Sequence, residues 1–84
     1  MEKAKEVVIE IDKLYLGTAK LANLDEYVSK ALDLSGKGNI ITLTGPGPVW
    51  LYLKVAHALH GRACKLIYNS PVTGDVVIFD HSPW

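Results

Sequence analysis

The sequence predicts a small α/β layer fold, Rossmann-like in type and ferredoxin-like in size, in the order β-α-β-α-β-β. Three observations predict it. Short β-rich apolar runs occur at residues 6–12, 40–43, 63–68 and 76–79. Two stretches between them carry apolar residues at helical spacing. Glycine and proline punctuate most of the junctions. Two strand–helix–strand units require right-handed crossovers and parallel pairing. The last two runs, joined by a short turn, add an antiparallel edge. The expected sheet is therefore mostly parallel with a C-terminal hairpin.

The first strand rests on Val7, Ile9 and Ile11 alternating with Glu6, Val8, Glu10 and Asp12. Leu14-Tyr15-Leu16 extends it and Gly17 ends it. The first helix is expected over 24–34, with Leu24, Val28, Ala31 and Leu32 on one face. Asn23 and Glu26 have capping-box spacing, and Gly36 is a C-terminal stop. Ile40-Ile41-Thr42-Leu43 lacks polar alternation, which predicts a strand covered on both faces. Gly45-Pro46-Gly47-Pro48 breaks the chain, with Pro48 suited to the first helical position. The second helix runs over 49–60, the third strand over 63–68, a turn over 70–74 and the fourth strand over 76–79.

With 84 residues the chain is one domain, 1–84. A domain of this size buries roughly 60% of its unfolded surface, and a total stability of about 4–12 kcal/mol is expected. Lys plus Arg and Asp plus Glu both number 9, so a long nucleic acid, which needs many basic contacts, is not the expected partner. A small phosphodiester needs only a few local donors. The single cysteine, Cys64, excludes an internal disulfide and reads as a small apolar strand residue. The start, Met1-Glu2-Lys3-Ala4-Lys5-Glu6, has no apolar run behind it, and nothing approaches the roughly 20 apolar residues of a membrane span. These features predict a cytoplasmic protein. Between Val49 and Leu59 the only formal charge is Lys54. A helix apolar all round must be covered on more than one side, so a second subunit and a twofold homodimer are expected.

In open α/β sheets, ligands bind outside the carboxyl ends of the strands. That edge holds Thr44, Gly45, Pro46, Gly47 and Pro48 after the second strand and Asn69 after the third. Glycines admit close backbone approach, and a helix start attracts phosphate. The run is neither a P-loop nor a dinucleotide fingerprint, and a Gly-Pro-Gly-Pro sequence equally makes a plain tight turn. His57 and His60 are neighbours on one helix face, and His81 follows Asp80 at the end of the last strand. Imidazoles serve as base, acid or metal ligand near neutral pH; they also serve as interface or core residues. Trp50 is either a base-stacking platform or a core or interface anchor. Lys54, Arg62 and Lys65 are the nearest cations for phosphate, or solvated surface residues. Ser82-Pro83-Trp84 reads as an irregular tail.

Leu43-Thr44-Gly45-Pro46-Gly47-Pro48-Val49-Trp50-Leu51, Ala56-His57, Ile67-Tyr68-Asn69 and Gly74-Asp75-Val76-Val77-Ile78 with His81 resemble the third family of CRISPR ring nucleases. The likeness covers about half the chain. It implies a small dimer that binds cyclic tetra-adenylate, the signal of type III CRISPR defence, across the dimer twofold. It implies that two dimers sandwich the ring as a ligand-bridged tetramer or filament. Active members linearise the ring with manganese. On this reading Thr44, Gly45, Pro46, Gly47, Pro48, Trp50, His57 and Asn69 bind the ligand. His60, His81 and Asp80 are the catalytic candidates, with His81 and Asp80 the candidate metal ligands. The family's catalytic Asp position is Asn69 here, and no arginine stands in Ser70-Pro71-Val72-Thr73. Asp75 or Asp80 would have to supply the acidic group. Three readings follow: a ring nuclease, a protein that binds the cyclic nucleotide without cleaving it, and an α/β interaction module with no nucleotide ligand.

Overall fold

The computed structural model describes residues 4–82, so the Trp84 end of the tail lies outside the described residues. Its elements are β1 (Glu6–Glu10), α1 (Leu24–Ser35), β2 (Ile40–Thr44), α2 (Val49–Leu59), β3 (Lys65–Ser70) and β4 (Gly74–Asp80), with 3-10 turns at Ile11–Lys13 and Leu21–Asn23. One sheet has the order β1-β2-β3-β4. β1, β2 and β3 are parallel, and β4 pairs antiparallel with β3 across a bulge at Leu66/Ile67. The α/β layer fold with its terminal hairpin is therefore present. Among the described residues no helix is long and apolar enough to cross a membrane.

Neighbouring strands follow one another in a single direction, so two right-handed crossovers place both helices on the same face. There Ile9, Ile41, Leu43 and Leu66 of the sheet meet Tyr27, Ala31, Leu51, Val55 and Leu59 of the helices. The opposite face has no helical layer among the described residues, and Val8 on it is 63% exposed. Within one copy, therefore, β2 is covered on one face and not on both as expected. Its second face carries Ile40, Thr42 and Thr44, half-buried only beside the residues they pair with on β1 and β3.

Three local expectations also change. β1 stops at Glu10 because the chain turns at once, sending Ile11 and Leu14 into the core. The buried stripe of α1 is Tyr27, Ala31 and Ser35, with Leu24 and Leu32 only partly buried beside it. Ser35 is accommodated because its hydroxyl donates to the Leu32 carbonyl at 2.8 Å. Asn23 is the N-cap of α1 but makes no side-chain capping bond, so the capping box does not form. Gly36 does end the helix, at φ 63.

α2 buries Leu51, Val55 and Leu59 and leaves Val49 and Leu53 72% and 66% exposed. β4 runs past the helices, so Val76 and Ile78 stay open as well. Between α2 and β4 lies an apolar groove of about 300 Å³, lined in part by Leu43, Tyr52, Leu53, Ala56, Tyr68 and Ile78.

Candidate functional site

The carboxyl edge is built around the turn from β2 to α2. Gly45 has φ 94, a region side chains avoid. A Cβ there would meet the Asp12 carboxylate at 2.5 Å, and one at Gly47 would meet Ile11 Cγ2 at 2.6 Å. The glycines thus let the turn lie flat on the 3-10 turn that follows β1. Two phenols hold it in place: Tyr52 donates to the Gly45 carbonyl, and Tyr15 donates to the Pro46 carbonyl at 3.5 Å. Pro48 is the N-cap of α2, extended at φ -68 and ψ 146, and not its first helical residue as expected; Val49 takes that position. It offers no side-chain oxygen, so the first N–H groups of the helix are left for water or a ligand.

Opposite the turn, Thr44 Oγ1 donates to Asn69 Oδ1 at 3.1 Å, and Asn69 Nδ2 donates to Asp75 Oδ1 at 2.9 Å. This string of polar groups crosses from β2 to β4. Tyr68 stands edge-on to Tyr52, with ring centroids 5.2 Å apart. The turn, Thr44, Asn69 and the two tyrosines line a cleft of about 510 Å³ together with Val49 and Pro71. Its walls are apolar and aromatic, and its polar groups are neutral hydroxyl, amide and backbone. Burial, then the nearby Tyr68, Asp12 and Tyr15, pushes the Tyr52 phenol up to about 12. Tyr52 therefore remains a donor to Gly45 throughout the neutral range.

Of the residues singled out in the sequence, Thr44, Gly45, Pro46, Gly47 and Asn69 line this cleft. Trp50 does not; it is half-buried against the core. His57 is exposed in the second half of α2. Lys54 is exposed on α2, Arg62 Nε is tied to the Gly36 carbonyl at 3.1 Å, and Lys65 lies opposite Asp80 on β4. None of the three lines the cleft.

His60, His81 and Asp80 lie together at the opposite edge, where α2 and β4 end. The His60 and His81 rings are 5.0 Å apart, and Phe79 stacks on His81 at 4.9 Å. The His81 N–H donates to the Cys64 carbonyl at 2.7 Å, which fixes the backbone there. Asp80 accepts from the Ser82 hydroxyl and backbone N–H, and these bonds hold its carboxyl below the usual range. α2 has 11 residues and so a length of about 16 Å, which separates the two edges. One copy cannot place its own histidines on a phosphate held at its own glycine turn.

Manganese favours roughly six mainly oxygen donors. Among the described residues no group of three or more His, Cys, Asp or Glu side chains could hold a metal ion. Two imidazoles set edge-on and a carboxylate already held by Ser82 do not make a manganese site within one copy.

Tyr52 and Tyr68 line the cleft, and Asp12 and Tyr15 lie behind its turn; none of the four was a site candidate in the sequence. Asp12 looked like one more polar position of a strand, and only the early turn after Glu10 brings it beside Gly45. Tyr52, one turn into a helix that follows a glycine turn, was the one available signal.

Residues 15–84 match the model of a family described as CRISPR-associated protein (Cas_csx3), and the chain belongs to that family. No curated protein and no solved structure matches the chain.

Proposed function

We propose that this member of the CRISPR-associated Cas_csx3 family binds a cyclic oligoadenylate at its carboxyl edge and damps type III CRISPR signalling by withdrawing that messenger, with ring cleavage as a second step. The observation that carries the reading is the cleft itself. It pairs Tyr52 and Tyr68, faces and edges against which adenine can pack, with a backbone turn and the free N–H groups of a helix start, which suit phosphate. Cyclic tetra-adenylate is the proposed ring.

The proposed assembly starts from a homodimer. The groove between α2 and β4 is too apolar to be left in water, and a twofold lets the Val49–Leu53 ridge of one copy fill the groove of the other. The split of the site between two edges supports a larger assembly. A ring held at the carboxyl edge of one copy would meet the His60–His81 edge of another, as a ligand-bridged tetramer or, repeated head to tail, a filament. His60 or His81 would then act as base toward a ribose 2′-hydroxyl, whose oxygen attacks the adjacent phosphate to give a 2′,3′-cyclic phosphate; the bond to the 5′-oxygen breaks, that oxygen takes up a proton, and the ring opens. The residues of one copy do not fit manganese, so no step is routed through it. Asn69, bonded to Thr44 and Asp75, is not a base.

The test is incubation of purified protein with radiolabelled cyclic tetra-adenylate, with and without manganese, read by native gel and thin-layer chromatography. A shifted complex with an intact ring is the result expected of a sequestering protein. Linear products would make it a ring nuclease. Neither shift nor products, with other ring sizes included, would overturn the reading in favour of an interaction module.

A further inference from the structure

We infer that the bare face of the sheet is a docking surface for a cationic amphipathic helix of a partner protein. Both helices lie on the other face, and sheets of mostly parallel strands are normally covered on both. Strand register aligns the bare face in level rows. Val8, Thr42, Ile67 and Val77 pair in sequence across all four strands and form a central apolar row. Val8 and Val77, at its two ends, are 63% and 53% exposed. Ile40 adds apolar surface beside this row. The four corners are all acidic: Glu6 and Glu10 on β1, Asp75 and Asp80 on β4. Within the strands, Lys65 is the one cation of this face.

Those corners select the occupant. On this face four carboxylates stand against the single lysine. A second copy of the same face brings like net charge against it and is disfavoured. Anionic lipid surfaces are repelled for the same reason. The acidic columns on β1 and β4 stand about 14 Å apart, and the corners within a column are about 13 Å apart. An α-helix laid along the central row, about 10–12 Å wide, fits between the end of the face that carries Glu6 and Asp80 and the end that carries Glu10 and Asp75, and its residues nine apart span about 13.5 Å, close to the separation of the two columns. A helix with a leucine-like stripe on the central row and lysine or arginine on both flanks meets the apolar row and all four corners together.

The test is a titration of the isotope-labelled full chain, followed by NMR, with two synthetic 18-residue peptides. Both carry one leucine stripe; one has lysine flanks and the other glutamate flanks. The lysine peptide should shift the amides of Val8, Thr42, Ile67 and Val77, and the glutamate peptide should leave them unmoved. Glu10→Lys with Asp75→Lys, both at exposed positions, should weaken the lysine peptide about tenfold while circular dichroism stays unchanged. Equal response to both peptides, or shifts confined to the α2 groove, would overturn the inference. Self-association that Val77→Lys disperses would also overturn it, by assigning the face to a second copy.

Discussion

Tyr52 joins the packing of the molecule to the shape of its cleft. Its ring lines both the cleft and the groove, and its hydroxyl holds the Gly45 carbonyl. Tyr52→Phe removes that bond alone and should cost about 0.5–1.5 kcal/mol in a urea titration. It should also weaken cyclic tetra-adenylate, because the turn loses its clamp. The raised phenol adds a pH signature. Its pKa is higher in the folded protein than the 10.0 of a free phenol, so folding favours the protonated form. That stability is complete below pH 10 and is lost as pH rises toward about 12. Melting followed through this range should show the fall in the native protein, and Tyr52→Phe should flatten it. Gly45 is the matching backbone position. Gly45→Ala would place a methyl group against Asp12 at a left-handed φ and should destabilise by about 1–3 kcal/mol. Asp12→Ala beside it should recover the steric part but not the torsional part, measured by the same titration.

At the scale of the element, α2 shows what local pattern conveys and what it omits. Its apolarity was legible, and so was the need for cover beyond one core. The structure adds which side is uncovered: Leu51, Val55 and Leu59 turn inward, while Val49 and Leu53 face the gap left above β4. Leu53→Glu should therefore weaken the proposed dimer by about 1–3 kcal/mol, roughly five- to 150-fold in Kd, read by sedimentation, with the monomer still folded. The strands were legible to within a few residues because alternation and β-branched runs report directly on a pleated surface. β2 misled because an unbroken apolar run is produced in two ways, by two covered faces or by one covered face beside apolar neighbours. Ile40 and Thr42 belong to the second case, and only strand pairing separates the two. The capping box failed because residue spacing permits the bond without enforcing it. Asn23 follows a 3-10 turn, and its backbone, at φ -103 and ψ 14, is not the extended form of a capped start.

At the scale of the whole molecule, the two halves of the sequence motif separate. The glycine turn and Asn69 were legible as one edge because topology sends the ends of β2 and β3 the same way. His60 and His81 were legible as a pair only through that same topology, which sends the ends of α2 and β4 to the other edge. Sequence order gives no sense of this, since His60 stands close to Asn69 in the chain. The separation makes a prediction that no single-copy site shares. Asn69→Glu puts an extra negative charge on the edge proposed to bind the ring and leaves the histidine edge intact. His60→Ala does the reverse. Alone, the first should retain little labelled cyclic tetra-adenylate, and the second should bind it but release it faster and leave it uncleaved. Mixed, the His60→Ala copies can hold the ring while the Asn69→Glu copies supply the histidines. Slow release should return in the mixture, and linear product with it if the native protein makes any. A site contained in one copy would give a mixture equal to the sum of its parts, because no exchange of subunits repairs a cleft and a histidine lost from different molecules.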